Sequence, residues 1–387
     1  MKITDIKTYA LQATLPEFFG ASQTWGNTRS VVLVEVHTDE GIVGYGEAGA
    51  GRQQQANRAI VEGELKPMLI GENPLGIEAI WQKVNRSLLS GLNRGMPVQA
   101  LSGIDMALWD VLGKALNVPV YQLWGGAVRM QVPVYATGLY YTAGPDLAKA
   151  RADEAAGYIA QGFKSVKMKI GALSIRDDLK QVEAVRKAIG PDTTLLVDAN
   201  QAYNAYAAIR MGRGLAEYDV ACFEEPVPYD DVTSYLEVKA ALAPLGIAIA
   251  GGECLYTTFA FRDFISKRAF DIAQPDICNT GGPSETRRIA NMAHAWGVQV
   301  FPHVWGGPFA VASSLHLMAT LPLNPPARNP MPFFQEPIME FDRTPNPLRE
   351  QLGSPKIDQH DGVIDVPQGP GWGVEVNRDI IERYSVR

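Results

Sequence analysis

The 387-residue sequence is poor in cysteine: Cys222, Cys254 and Cys278 are all it has. Three cannot all pair, and none stands at zinc-finger spacing. A disulfide framework is therefore excluded, and a reducing compartment is expected. No run approaches the roughly 20 apolar residues that span a bilayer, so no membrane partner is expected. The opening stretch MKITDIKTYALQA lacks the apolar core of a signal peptide, and a cytoplasmic location is expected. Basic charge is not in excess: 35 Lys and Arg stand against 42 Asp and Glu, a net charge of −7, which argues against a nucleic-acid partner. Low-complexity tails and short tandem repeats are also missing. Histidine is scarce, at five, so the place of each one carries information. Apolar content of 46% and charged content of 20% are ordinary for a globular protein. The length calls for two domains, or a barrel with a lobe.

In the middle of the chain, apolar runs end abruptly in a charged residue. They are SVKMK at Lys169, LLVD at Asp198, ACFE at Glu224, IAGGE at Glu253, IAQPD at Asp276 and VFPH at His303. The steps between these endpoints are 29, 26, 29, 23 and 27 residues. A short strand plus an amphipathic helix takes that length, and an eight-stranded parallel barrel repeats the unit. The rhythm starts at QVPVYATG (131–138) and gives seven strands through VQVFPHV. An eighth is expected in MPFFQEPIMEFD (331–342), after the Pro-rich connector LPLNPPARNP.

The expected fold class is α/β, a modified TIM barrel of (β/α)7β type over residues 128–341. Residues 1–127 do not follow the rhythm. KITDIKTYALQ alternates like a strand, RSVVLVEVHTDEGIVGYGEA reads as a hairpin turning at Thr38–Gly41, and helices follow. This is an α+β capping domain. Residues 342–387 are dominated by Pro and Gly turns and are expected to return and pack on it.

A charge at the C-terminal end of a buried barrel strand has no packing reason to be there, and that end is where barrel enzymes build active sites. Asp198, Glu224 and Glu253 end consecutive strands, and three hard oxygen donors suit Mg²⁺. Asn200 and Glu225, beside them, read as supporting groups, with Asn200 a candidate substrate contact. Lys167 and Lys169 alternate onto one interior face. Their mutual repulsion is expected to lower the lysine pKa toward the range where a neutral amine accepts a proton. Asp276 is placed to hold His303 in one tautomer and raise its basicity. Glu336 and Glu340 share a face of the eighth strand, and either is a candidate acid there, able to donate a hydrogen bond if its pKa is raised. Cys254 and Cys278 read as small packing residues. The segments 18–27, with Trp25, and 48–54 are candidate loops that close over a substrate.

The ordered motifs VKMKIG, VDAN, FEEP, GGE, QPD and PHVWG resemble the enolase superfamily, and within it the mandelate racemase subgroup, over nearly the whole chain. The resemblance implies a Mg²⁺-dependent enzyme that removes the proton next to a carboxylate. It implies Asp198, Glu224 and Glu253 as metal ligands, Lys169 as the base on one face and His303, backed by Asp276, as the acid/base on the other. It implies contact with the substrate carboxylate for Lys167 and for Glu340, with Glu336 the alternative. The segments PHVWGG, ALSGIDMALWD and EPIMEFDRTPNPLRE are similar to those of acid-sugar dehydratases and the galactarolactone cycloisomerase branch. Dehydration of an aldonate or aldarate is the leading expectation; lactone ring opening and racemisation of a 2-hydroxy acid are alternatives. A homo-oligomer, from dimer to octamer, is also implied. A non-catalytic sugar-acid binder is disfavoured by the complete set of ligands and bases. A muconate-cycloisomerase-like site is disfavoured because Asp276 stands where that arrangement uses a lysine.

Overall fold

Alternating residues at the N-terminus form an antiparallel hairpin of Ile3–Gly20 and Trp25–Thr38, and Val43–Glu47 adds to its second strand. The computed structural model describes residues 1–49, 51, 53–88 and 94–386. Two helices, Ile77–Leu88 and Met96–Leu116, cover this sheet. Ile77, Ile80, Trp81 and Val84 recur at helical spacing and are buried in a lobe core with Val32, Val34, Val36, Leu101 and Ile104. The sheet's fourth strand, Tyr141–Thr142, comes from the barrel and pairs with Phe19–Gly20 near the hairpin tip.

Eight parallel strands form the barrel wall: Gln131–Thr137, Ser165–Lys169, Thr194–Asp198, Val220–Glu224, Ala248–Gly251, Ile272–Ala273, Gln299–Val300 and Met339–Asp342. The eighth pairs with the first, and the others follow in chain order to the seventh. Among the described residues no strand ladder joins the seventh to the eighth. That seam is closed by the Gln299 amide, which donates to the Phe333 and Phe334 carbonyls, and by Phe301 packed on Phe333. Tyr135, Leu196, Cys222, Ala250, Ile272 and Phe301 plug the interior, so the barrel is a packed core and not a pore. No described helix is long and apolar enough to cross a membrane.

The sixth and seventh strands are only two residues long, shorter than the apolar runs around them. Pro275 and Pro302 have no N–H to give the ladder. Gly252 breaks the fifth strand at φ +123°, where a Cβ would also meet the Phe261 ring at 2.7 Å. Lys169, Asp198 and Glu224 therefore end hydrogen-bonded strands, whereas Glu253, Asp276 and His303 lie just beyond them. Asp276 and His303 still pair as an isolated parallel bridge.

The barrel helices start in two ways. Asp146, Ser174, Asn204 and Asp231 cap the first four with their own side chains. The sixth, Gly282–Ala295, and the seventh, Pro308–Thr320, have no such cap and borrow carboxylates from the lobe. Asp105 accepts the Ser284 amide at 2.8 Å, and Glu47 accepts the Gly307 and Phe309 amides at 2.6 and 2.9 Å. Gly282 sits at φ +86°, and a Cβ there would meet Asp105 at 2.6 Å.

The tail adds Val363–Asp365 to the outer end of the first barrel strand and then returns to the lobe. There Trp372 donates its indole N–H to Met106, Arg378 pairs with Glu35, and the Val386 amide reaches Ala10.

Candidate active site

Strand register brings the charged endpoints level. Lys169 stands opposite Asp198, and Asp198 opposite Glu224, on adjacent parallel strands. Asp198, Glu224 and Glu253 each bring a carboxylate oxygen within 4.8 Å of the others. Lys167 Nζ lies 2.8 and 2.9 Å from the two Glu224 oxygens and 2.8 Å from Glu340 Oε1. Lys169 bonds Asp198. At the other end of the row, His303 Nδ1 meets Asp276 at 2.6 Å, while its Nε2 lies 3.4 Å from Glu253. A cavity of about 710 Å³ opens above, lined by Lys169, Glu253, His303 and residues of the capping hairpin.

The charge states follow from these neighbours. Burial alone would depress the Lys167 amine, but Glu224 and Glu340 outweigh it and hold its pKa well above the ordinary lysine value. Burial opposes Lys169 too, yet Asp198 raises it despite repulsion from Lys167. The repulsion expected to lower the lysine pKa is thus outweighed by the carboxylates that the two ammoniums contact. His303 is raised to about 10: burial lowers it, and Glu253, Glu340 and Asp276 more than compensate. Glu224 rises to about 7 through burial, offset in part by Lys167.

Glu340 differs from expectation as well. Burial would raise its pKa, but Lys167 and His303 hold it below the usual carboxylate range. It accepts from Thr137 Oγ1 at 2.7 Å and the Val304 amide at 3.0 Å, so it is an anionic acceptor and not a donor. Glu336 is not on the strand; its carboxylate meets Arg129 Nε at 3.2 Å, and it does not line the cavity. Trp25 is outside the lining too and packs on Tyr141, with ring centres 6.4 Å apart. Its hairpin is strand almost to the tip, and Ser22 there donates to the Ala199 carbonyl at 2.6 Å. Of the segment 48–54, residues 50 and 52 lie outside the described residues; Gly51 lines the cavity. Asn200 also lines it, with its backbone N–H donating to Asp198 Oδ1 at 2.8 Å. Cys278 is buried, and Cys254 is a cavity-lining thiol whose pKa burial pushes up.

Thr137, Tyr140 and Trp305 had no charge to mark them in the sequence, although Thr137 ends the first barrel strand as Lys169 ends the second. Three converging hard oxygen donors fit a divalent cation. Glu253 Oε2 supports that fit, being buried and without a hydrogen-bond partner among the described residues. Glu225, Glu253 and Cys254 also cluster, but a protonated thiol is a poor donor for a hard ion. Chemically, the site offers two proton-transfer groups, Lys169 and His303, flanking a carboxylate row.

Residues 5–125 match the mandelate racemase/muconate lactonizing enzyme N-terminal domain, and residues 150–380 match the enolase C-terminal domain-like family. The chain is 39% identical to D-galactarolactone cycloisomerase of Agrobacterium fabrum over 100% of this chain and 99% of that protein. It is 37% identical to arabinonate dehydratase of Saccharolobus solfataricus, over 92% and 91% of the two chains. The crystal structure of the 3,6-anhydro-D-galactonate cycloisomerase from Zobellia galactanivorans superposes with a TM-score of 0.88 at 37% identity, covering 100% of both chains. The chain belongs to the mandelate racemase/muconate lactonizing enzyme family of the enolase superfamily.

Proposed function

We propose that this enzyme removes the proton alpha to the carboxylate of an acid sugar and then expels an oxygen from the neighbouring carbon. The observation that carries the reading is the placement of Lys169 and His303 at opposite ends of the Asp198, Glu224 and Glu253 row, in one cavity. The acid-sugar substrate is supported by the relatives, a lactone cycloisomerase and an aldonate dehydratase.

Asp198, Glu224 and Glu253 would hold Mg²⁺, which would supply positive charge to stabilise a developing enediolate. Lys167, fixed between Glu224 and Glu340, keeps a second positive charge at the same end of the site. With Asp198, Glu224 and Glu253 engaged by Mg²⁺, their pull on the two cations would weaken, and Lys169 or His303 in its neutral form takes the C2 proton, according to the configuration at C2. The C–H electron pair is first held in the enediolate and then becomes the C2–C3 double bond as the C3–O bond breaks. A hydroxyl leaves as water, protonated by the opposite group; the ring oxygen of a lactone leaves as a carboxylate. The enol then gains a proton at C3 and becomes a 2-keto-3-deoxy acid. Asp276 accepts from His303 Nδ1 and directs Nε2 toward the cavity. With no leaving group at C3, return of the proton from the far side inverts C2.

The test is a screen of purified protein with Mg²⁺ against aldonates, aldarates and their lactones, read as 2-keto acid and as C2 deuterium uptake in D₂O. Keto acid from at least one member is expected. Failure of every member to exchange its C2 proton would overturn the proposal.

A further inference from the structure

Lys169 and His303 are held in different ways. His303 has a carboxylate of its own in Asp276, 2.6 Å from Nδ1. The side-chain partner of Lys169, Asp198, also faces Lys167 at 3.8 Å. The placement of Lys169 therefore leans on the backbone that follows it, residues 170–172, and a buried cluster holds that turn. Asp178 stands in the first turn of the helix Ile175–Ile189 and is fully buried. It accepts the Gly171 amide at 2.8 Å and the Tyr141 hydroxyl at 2.5 Å. The Tyr141 oxygen in turn accepts the Ala172 amide at 3.1 Å. Arg151, also buried, sets its guanidinium 4.2 Å from the Tyr141 ring centre and donates from Nε to the Tyr140 carbonyl. Burying an aspartate and an arginine is costly unless each is engaged, so the cluster favours one arrangement.

The same tyrosine carries the capping hairpin. Tyr141 pairs through its backbone with Gly20, and its ring packs on Trp25. The hairpin tip also reaches the turn itself: a Cβ on Gly171 would lie 3.1 Å from that of Ser22. Among the described residues, no hydrogen bond of Asp178 or Tyr141 reaches His303.

We infer that Asp178 and Tyr141 are positioning residues for Lys169 and not for His303, and that through Tyr141 the docked hairpin sets where this base stands. The inference rests on the reaction proposed above, in which the two bases serve opposite faces of C2. Proton transfer requires the amine within hydrogen-bond reach of the C2 hydrogen, and a displacement of about 1 Å can cost about a hundredfold in rate. Tyr141→Phe keeps the ring against Trp25 and Arg151. It leaves the Ala172 amide and one Asp178 oxygen without their partner, so the turn after Lys169 is free to shift.

The test follows C2 exchange in D₂O by NMR, with Mg²⁺. The probes are the acid sugar that exchanges fastest in the screen above and its C2 epimer, for D-galactonate the epimer D-talonate. Lys169→Met and His303→Asn assign each epimer to its base. Tyr141→Phe is expected to lower kcat for exchange about tenfold on the Lys169 epimer, with KM changed less than about twofold, and to leave the His303 epimer within about twofold. Asp178→Ala should show the same bias, and Asp276→Asn the opposite one. If Asp178→Ala does not fold, Tyr141→Phe alone decides. Loosening of the fold would slow both epimers alike. Equal losses, or an unaffected Lys169 epimer, overturn the inference and leave proton abstraction standing. A wild type that exchanges neither epimer, or whose exchange survives Lys169→Met on both, overturns the inference together with the roles proposed for the two bases.

Discussion

At the mouth of the barrel, Asp198, Glu224 and Glu253 face one another, whereas Glu47 and Asp105, between lobe and barrel, and Asp110, between lobe and tail, are buried one at a time. Each carboxylate at the joint is surrounded by donors. Glu47 takes three amides from the start of the seventh barrel helix, and Asp105 takes the Ser284 amide and hydroxyl. Asp110 takes the amides of Tyr45 and Trp372 and pairs with Lys114. At the mouth, Asp198 and Glu224 pair with Lys167 and Lys169, while Glu253 Oε2 has His303 Nε2 3.4 Å away and no hydrogen bond among the described residues. Burial is therefore common to both places and does not identify function. Convergence of like charges with too few donors does, because that arrangement is costly until a ligand relieves it.

Four experiments sharpen or break this contrast. The largest effect is expected from chelation, which should abolish turnover, with Mg²⁺ raising the thermal midpoint of the wild type. Glu253→Gln should weaken Mg²⁺ about a hundredfold by calorimetry, and a wild-type midpoint indifferent to Mg²⁺ would undo the distinction.

Next, Lys169→Met and His303→Asn should each slow C2 exchange from the face they serve by about 10³-fold, followed by NMR on the two C2 epimers. A comparable loss in Asp105→Ala would mean that the joint takes part in the chemistry.

The third effect is on stability. Burial raises Glu47 from 4.5 to about 7, outweighing the amides of Gly307 and Ala310. The folded state thus holds this proton more tightly than the unfolded state. The stabilisation is complete below pH 4.5 and is lost as pH rises through 7, a change of about 3 kcal/mol. Urea midpoints at pH 5 and 8 should differ less in Glu47→Gln, which cannot ionise. Equal slopes in both proteins would refute the assignment.

The smallest effect is expected from Asp105→Ala, about 2 kcal/mol of stability through loss of the borrowed helix cap, with C2 exchange per folded molecule unchanged.

Much of this architecture was legible before any coordinates. Runs such as LLVD and ACFE are local signals: a buried strand must be apolar, so a terminal charge stands out. The capping role of Asp105 left no such trace. It lies inside the apolar helix Met96–Leu116, and its partner Ser284 is far away in the chain. The reach of the hairpin was legible only as a loop, because its pairing with Tyr141–Thr142 depends on a strand more than a hundred residues later. Glu336 and Glu340 could not be separated by alternation. The eighth strand starts at Met339, after Glu336 has already met Arg129.

The sequence by itself determined the barrel rhythm, the charges at the strand ends and the family, since these depend on periodicity and residue type within about thirty positions. Tertiary structure decided which charges surround Lys167, Lys169 and Glu340, that Glu340 and not Glu336 stands on the eighth strand, and the packing of Phe19 and Trp305 on Arg29. Those depend on which distant groups share a desolvated space, and the strength of a charge's interactions there is set by neighbours that the chain order does not reveal.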